Sequence, residues 1–434
     1  MIELEQPHER AVLVGAPPKR LSSDVAAEHL EELGRLTHTA GAEIVGSLIQ
    51  RLDAPHPRFY IGEGKVGELR ALVQENDATL IIFDEELSPA QGKNLEEELN
   101  VRILDRAELI LDIFATRART SEAKMQVELA QLQYMLPRLT RMWVHLSRVR
   151  GGIGMRGPGE TQLETDRRMI NQKISRLKED LERVARQRAT QRKGRADIFQ
   201  AALVGYTNAG KSSLLRAMSG TEVFVEDRLF ATLDAATRMV DLGDGYECLL
   251  TDTVGFIRKL PHHLVASFRA TLEEAGDSDL LLHVVDISHP VWREQNEVVN
   301  EVLTDLGLDD QPMVLVFNKV DRLTHEEEEV LRAHAENDFP HASVFVSTLE
   351  EGAVEPLRDL LRKRIRSANP EVRISLPVTR GGLLAEIYRE GEVLTREDGT
   401  GTVVVHARLP PATLGRLRQL PEVDVRDGSP SIDD

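Results

Sequence analysis

Through residues 1–116, short apolar runs alternate with longer stretches in which apolar residues recur at helical spacing. AVLVG (11–15) leads to a helix from about Ser22, EIVGSLIQ (43–50) precedes a helix after Ile61, TLIIFD (79–84) precedes a helix from Ser88-Pro89, and VRILD (101–105) closes the series. Strands alternating with helices predict a small α/β domain around a parallel sheet, because each helix carries the chain back to begin the next strand in the same direction. GEGK (62–65) resembles a phosphate loop, but no Ser or Thr follows Lys65 and the required spacing is missing, so it reads as a turn entering a helix.

From Met125 the period changes. Apolar residues fall at Met125, Leu129, Leu132, Leu136, Leu139, Trp143 and Leu146, in alternating steps of four and three. A second series runs through Leu163, Ile170, Ile174, Leu177, Leu181 and Val184, with Arg167 at the skipped place. Such spacing is the seam of a coiled coil, and two such helices with a short connection should fold back as an antiparallel hairpin. This predicts a helical arm over 117–196. The first helix, about Glu122 to Arg148, would reach roughly 40 Å, with a kink at Pro137, which has no N–H to give. Thr161 and Glu164 form a T-x-x-E capping box that should open the second helix.

Charge sets this arm apart. The chain carries a net −18, yet between Arg138 and Arg195 sixteen Lys/Arg face six Asp/Glu, a local +10 that leaves −28 elsewhere. A basic segment in an acidic protein points to a positioned contact with phosphate rather than general adhesion to polyanions; a solvated coiled-coil face is the plainer alternative. The connection VRGGIGMRGPGE (149–160) holds five glycines with Arg150 and Arg156, which suits close approach of backbone N–H groups to RNA phosphates.

The chemistry begins where AALVG (201–205) runs into Gly205-Tyr206-Thr207-Asn208-Ala209-Gly210-Lys211-Ser212, a complete G-x-x-x-x-G-K-S between a strand and a helix. Loop amides can cradle phosphates, Lys211 can reach the β and γ oxygens, and the Ser212 hydroxyl can ligate Mg²⁺. Three further segments follow in order. Asp252-Thr253-Val254-Gly255 follows the strand ECLLT, so Asp252 can hold Mg²⁺ through water and the Gly255 amide can meet the γ-phosphate. Asn318-Lys319-Val320-Asp321 follows MVLVF, and Asp321 can accept both N1–H and the N2 amino group of guanine, a donor pair that adenine lacks. Ser347-Thr348, after Val346 at the end of SVFV, can support the guanine O6. Together these predict a GTP-hydrolysing G domain over 197–368, with a mixed, mainly parallel sheet and helices on both faces. Where many GTPases carry a glutamine that orients the attacking water, the chain has Phe256, so hydrolysis unaided should be slow.

Residues 369–434 should form a small C-terminal α/β domain, with LLAEIYREG and PATLGRLRQL as helices, GTVVVHARL as a strand and DGSPSIDD as a disordered tail. No apolar run approaches the ~20 residues that cross a bilayer, and the acidic start MIELEQPHER does not read as a signal peptide. The single cysteine, Cys248, cannot make an internal disulfide or a cysteine metal site and reads as buried core.

IGEGK, LIIFDEELSPAQ, RILDRAELILDIFATRART, QVELAQL, GGIGMRGPGETQLETDRR, FATLD and the four nucleotide motifs resemble, over nearly the whole chain, the HflX-type ribosome-associated GTPases. The resemblance implies a cytoplasmic GTPase, in part ribosome- or membrane-peripheral, that acts as a monomer without a membrane span. It would bind the large ribosomal subunit, touch ribosomal RNA through residues 138–195, and in its GTP state separate stalled or idle 70S ribosomes. It places the nucleotide-sensing threonine of switch I at Thr232, within Phe230-Ala231-Thr232-Leu233-Asp234, as a second Mg²⁺ ligand beside Ser212, whereas the residues alone leave Thr232 and Thr237 equal. Lys211, Thr232, Gly255 and Asn208 are then the expected catalytic set. Asn208 resembles the asparagine of GTPases that seat K⁺ beside the phosphates; a loop-stabilising hydrogen bond is the alternative. The chain departs from the commoner family form in Ala235-Ala236 after FATLD, where a proline is expected, and in the triplet Ser347-Thr348-Leu349. A large-subunit assembly checkpoint and an RNA-remodelling NTPase remain as other readings.

Overall fold

The computed structural model describes residues 9–139, 158–192, 198–221, 228–261, 264, 275–339, 341–350 and 352–428. The chain divides into two compact units. One comprises Met1–Val184, Glu226–Asp234 and Ile257–Ala270; the other comprises Ala185–Val225, Ala235–Phe256 and Thr271–Asp434.

The first unit is built on a four-stranded parallel sheet of β1 (Arg10–Gly15), β2 (Glu43–Ile49), β3 (Leu80–Phe83) and β4 (Arg102–Asp105), in the order β2-β1-β3-β4. All four residues of β3 are buried, which is why it reads as an unbroken apolar run. Helices α1 (Ser23–Thr39), α2 (Glu63–Glu75), α3 (Pro89–Leu99) and α4 (Arg106–Arg117) connect and follow the strands. Local chemistry fixes their starts: Ser22 caps α1 by accepting from Val25 N–H, Ser88 and Gln91 form a reciprocal capping box on α3, and Asp105 caps α4. Gly62 is the N-cap of α2, so GEGK is the helix entry expected. Helix α4 was not foreseen as a separate element.

The arm differs in detail from its expected form. Helix α5 (Ser121–Met135), capped by Thr120, gives way to a 3₁₀ turn at Leu136–Arg138, because Pro137 cannot donate the next helical hydrogen bond. Its apolar face is also broader than the seam: Ala123, Gln126, Val127, Ala130 and Tyr134 are buried as a second stripe, and α5 packs beside α4. The return helix α6 (Pro158–Arg192) starts before Thr161, so Thr161 lies in its first turn and not at its cap; Pro158 suits that start, where no N–H is needed. Along α6, Leu177 is buried, Ile170, Ile174, Leu181 and Val184 are half-buried, and Arg167 is exposed, as the 4-3 spacing required. Glu128 on α5 pairs with Lys173 on α6. Residues 140–157, which hold the rest of the expected first helix with Trp143 and Leu146 and the glycine-rich tip, and residues 193–197 lie outside the described residues.

The second unit carries a six-stranded sheet of β5 (Gln200–Gly205), β6 (Ala236–Gly243), β7 (Tyr246–Asp252), β8 (Leu280–Asp286), β9 (Met313–Asn318) and β10 (Ala342–Phe345), in the order β10-β9-β8-β5-β7-β6. Only β6 runs antiparallel, joined to β7 through Asp244-Gly245, both at positive φ, the two-residue turn whose twist matches a hairpin. Helices α7 (Lys211–Ser219), α8 (Trp292–Asp305), α9 (His325–Asp338) and α10 (Glu355–Ala368) complete this domain. Leu203, Leu214, Val240, Cys248, Leu250 and Val316 lie in its core, and burial pushes the Cys248 thiol up to about 12.

A second sheet in this unit is wholly antiparallel, with β11 (Glu371–Pro377), β12 (Glu392–Asp398), β13 (Thr402–Arg408) and β14 (Asp424–Asp427) in the order β12-β13-β11-β14. With α11 (Gly381–Glu390) after β11 and α12 (Pro411–Arg418) after β13, it is a split β-α-β fold. The expected strand and two helices are present, and β11, β12 and β14 are added to them. Among the described residues no helix is long and apolar enough to cross a membrane.

Candidate nucleotide-binding site

Ligands of an open α/β sheet bind beyond the carboxyl ends of its strands, and there the four motifs of the second unit meet. Gly205–Ser212 joins β5 to α7, Asp252 ends β7, Asn318 ends β9, and Ser347 follows β10. Hydrogen bonds tie them together. Asn318 Nδ2 donates to Ala209 O at 2.9 Å, Lys319 Nζ donates to Asn208 O at 2.9 Å, and Ser347 Oγ donates to Asp321 Oδ1 at 2.6 Å. The Asn318–Asp321 loop is thereby fixed to the loop Gly205–Ser212.

Lys211 is buried, and its ammonium donates to Gly205 O at 3.0 Å and Tyr206 O at 2.8 Å. Burial pulls its pKa down to about 8 against the upward pull of Asp252. Gly210 sits at φ +97° with Asn318 Nδ2 where a Cβ would be, so only glycine fits there. Asn208 is exposed at φ +61°, a conformation asparagine tolerates.

Ser212 Oγ lies 2.6 Å from Asp252 Oδ2, so a hydroxyl and a carboxylate converge, the hard-oxygen donors that Mg²⁺ takes. Thr253 donates its hydroxyl to Leu203 O and is fully buried, and Val254 is buried beside it. A Cβ on Gly255 would stand 3.0 Å from Lys211 Nζ and 2.7 Å from Thr207 Cα, which puts this glycine against the phosphate loop. Phe256 continues that contact through its backbone: its N–H donates to Gly205 O at 3.0 Å, and its carbonyl accepts from Thr207 N–H at 2.6 Å. Its ring is buried.

Asp321 lies in a 3₁₀ turn, Val320–Arg322, entered through Lys319 at φ +66°. Asp286, at the end of β8, was not singled out from the sequence, yet its carboxylate holds Lys319 Nζ at 2.6 Å. The signal was available as an aspartate ending an apolar strand, the place where such sheets keep functional residues. Ser347 is fully buried, Val346 is buried beneath it, and Thr348 is half-buried.

The segment Phe230–Asp234, expected to form switch I, belongs to the first unit. Phe230, at φ +56°, meets the Phe114 ring of α4 edge-on at 4.7 Å, Leu233 is buried, and Ala231 and Thr232 are half-buried. The Asp234 carboxylate accepts from Arg119 N–H at 3.1 Å and from the Thr120 hydroxyl at 2.5 Å, at the start of α5. Thr237 lies on β6, hydroxyl to hydroxyl with Thr251 at 2.9 Å, a place within the sheet that Thr232 does not share. Arg138, counted among the cations of the arm, is spent internally: its guanidinium lies 3.6 Å from the Tyr134 ring centroid and bonds Leu87 O and Asp105.

Profiles of known families match in the same order along the chain. One described as the N-terminal region of GTP-binding GTPases covers residues 27–115, one described as their middle region covers 117–195, and one described as a 50S ribosome-binding GTPase covers 200–319. GTPase HflX of Magnetococcus marinus is 45% identical over 96% of this chain and 96% of its own. The chain belongs to the HflX family of GTPases. GTPase HflX of Escherichia coli is 42% identical over 94% of this chain and 95% of its own. A GTP-binding protein of Sulfolobus solfataricus, solved with GDP, is 24% identical over 82% of this chain and 98% of its own, with a TM-score of 0.44. As an HflX-family GTPase the chain uses GTP, and its G domain carries the profile of the ribosome-binding class.

Proposed function

We propose that this HflX-family GTPase docks on the large ribosomal subunit through its basic arm and, with GTP bound, separates 70S ribosomes into subunits, hydrolysis releasing it afterwards. The observation that carries the reading is α6, a 35-residue helix whose exposed side presents Arg167, Arg168, Arg176, Lys178, Arg183 and Arg186. At 1.5 Å per residue it is about 50 Å long, enough to lay cations along many RNA phosphates. Ser212 would hold Mg²⁺, with Asp252 behind it through water and Thr232 joining from switch I. The ion would supply charge to the β- and γ-phosphates. Because the Phe256 ring is buried, the chain offers no glutamine-like side chain there to orient water, and the docked subunit is the proposed source of that ordering.

Sucrose-gradient sedimentation of 70S ribosomes tests this. With a non-hydrolysable GTP analogue the protein should convert 70S particles to subunits, with GDP it should not, and purified large subunits should raise phosphate release from GTP. Intact 70S with protein bound only to free large subunits would replace splitting with an assembly checkpoint.

Asn208 supports a second, smaller proposal, that K⁺ sits beside the phosphates and adds charge where an arginine finger is missing. Hydrolysis should then be faster in K⁺ than in Na⁺ at matched ionic strength. Equal rates would leave Asn208 only its place in the loop.

A further inference from the structure

In the second unit, β5, β8 and β9 are neighbours in the sheet, and the loops that follow them meet at one ammonium. Asp286, the last residue of β8, turns its two carboxylate oxygens to different partners. Oδ2 accepts from Lys319 Nζ at 2.6 Å, while Oδ1 accepts from the Ser288 hydroxyl at 2.6 Å and from Ser288 N–H at 3.1 Å. The backbone adds a further tie, with Ile287 N–H donating to Asn318 O at 3.2 Å. Lys319 Nζ in turn donates to Asn208 O at 2.9 Å, in the loop Gly205–Ser212. The turn after β8 thus holds the side chain that links the loop after β9 to the loop after β5.

This is not a surface ion pair. The side chains of Lys319 and Asp286 are 18% and 12% exposed, so water and salt screen them little, and a hydrogen bond between charged partners is of the stronger kind. A lysine loses much rotamer freedom when its end is held in one place, and its ammonium is strongly hydrated when free. A lone carbonyl is a weak substitute for that hydration; the carboxylate supplies the missing charge. The backbone needs holding too. Lys319 stands at φ +66°, and Asn208, whose carbonyl it reaches, at φ +61°, a region that a non-glycine residue keeps only where contacts impose it. Asp286, oriented by Ser288, is such a contact.

The two loops that Lys319 joins are those expected to meet opposite ends of one ligand, the phosphates at Gly205–Ser212 and the base at Asp321. Their spacing must match the nucleotide before both ends can be satisfied. We propose that Asp286 is a positioning residue for guanine nucleotides: by holding the Lys319 ammonium against Asn208 O, it sets the distance between the base-reading loop and the phosphate-holding loop. This rests on the reading of Gly205–Ser212 and Asn318–Asp321 as the nucleotide site. A preset spacing lowers the ordering cost of binding. It serves GDP and GTP alike, since the base and the phosphates next to it are common to both, so the hold acts on affinity and not on the chemical step.

The test uses the full chain with Asp286→Ala, Asp286→Asn, Ser288→Ala and Lys319→Met. In Asp286→Ala the Kd for fluorescent GDP should rise about tenfold, the effect of losing one hydrogen bond to a charged group. KM for GTP should rise with it, while the turnover number at saturating GTP stays within about twofold. Asp286→Asn, which keeps an acceptor without the charge, should lose less, and Ser288→Ala less again. Adding Asp286→Ala to Lys319→Met should cost little more, because the ammonium it holds is already gone. Unchanged GDP affinity in a folded Asp286→Ala chain would overturn the proposal, as would full additivity of the Asp286→Ala and Lys319→Met losses. A turnover number falling in step with affinity would also overturn it, since that would mean general damage. If circular dichroism shows that Asp286→Ala does not fold, Asp286→Asn and Ser288→Ala decide. A Lys211→Ala chain that hydrolyses GTP normally would instead sink the reading of the nucleotide site, and this proposal with it, whatever the Asp286 variants do.

Discussion

A Lys211→Ala chain should lose GTP hydrolysis by a factor on the order of 10³, more than one removed hydrogen-bond donor costs at a preorganised site, because the change removes a full charge. Phosphate release under saturating GTP measures it. The ammonium lies buried between Gly205 O and Tyr206 O, 2.8 to 3.0 Å away, a slot for one compact cation that a planar guanidinium does not match. Arginine should therefore rescue little. The same burial gives the variant an opposite effect on stability. Lys211 titrates near 8 in the folded chain, below its ordinary 10.5, so its charged form is disfavoured by folding. That cost is present in full below about pH 8 and fades as pH rises towards 10.5, where the unfolded chain also loses the proton. Without nucleotide, Lys211→Ala should thus melt no lower than wild type at pH 7. Turnover at the wild-type rate would show that the loop is not where phosphate is held.

Asp321→Asn should exchange one substrate for another rather than abolish activity. The carboxylate offers two acceptors, one already bonded to Ser347 Oγ at 2.6 Å, which fixes its plane. Guanine presents N1–H and an amino group, and an asparagine would turn a donor towards a donor. GTP affinity should fall on the order of 10³-fold, since a site built around hydrogen bonds rejects a ligand that leaves them unmade. Xanthosine triphosphate, which carries a carbonyl in place of the amino group, should bind better to the variant than GTP does. Competition of both nucleotides against fluorescent GDP measures the exchange. Unchanged preference for GTP would remove Asp321 from base recognition.

The parts of the molecule that were legible in the sequence are those whose physics is local. β1 and β3 read cleanly because a strand covered on both faces must be apolar throughout, and Ser22 and Ser88 marked helix starts by the side-chain oxygens that cap them. The phosphate loop was visible because its glycines are demanded by close approach, as Gly210 against Asn318 shows. In the C-terminal sheet, β12 (EVLTRED) was hidden by its exposed polar half, and β14 (DVRD) is too short and charged to announce itself. The second stripe on α5 escaped because Ala123, Gln126 and Ala130 stand with Val127 and Tyr134, and small or polar residues make a weaker periodic signal than the leucines of the seam. Least legible was a buried ion pair of the first unit: Asp84 and Arg258 are 174 positions apart, and each alone looks like a surface charge.

Cys248 has a practical consequence. Alkylating and oxidising reagents attack thiolates that they can reach, and this sulfur is fully buried on β7 with its thiol pushed up to about 12. In its folded state the chain should behave towards such reagents as if it had no cysteine. A single cysteine introduced on the exposed side of α6 would then be the one labelled position, so a dye could be placed there without first replacing a native residue in the core.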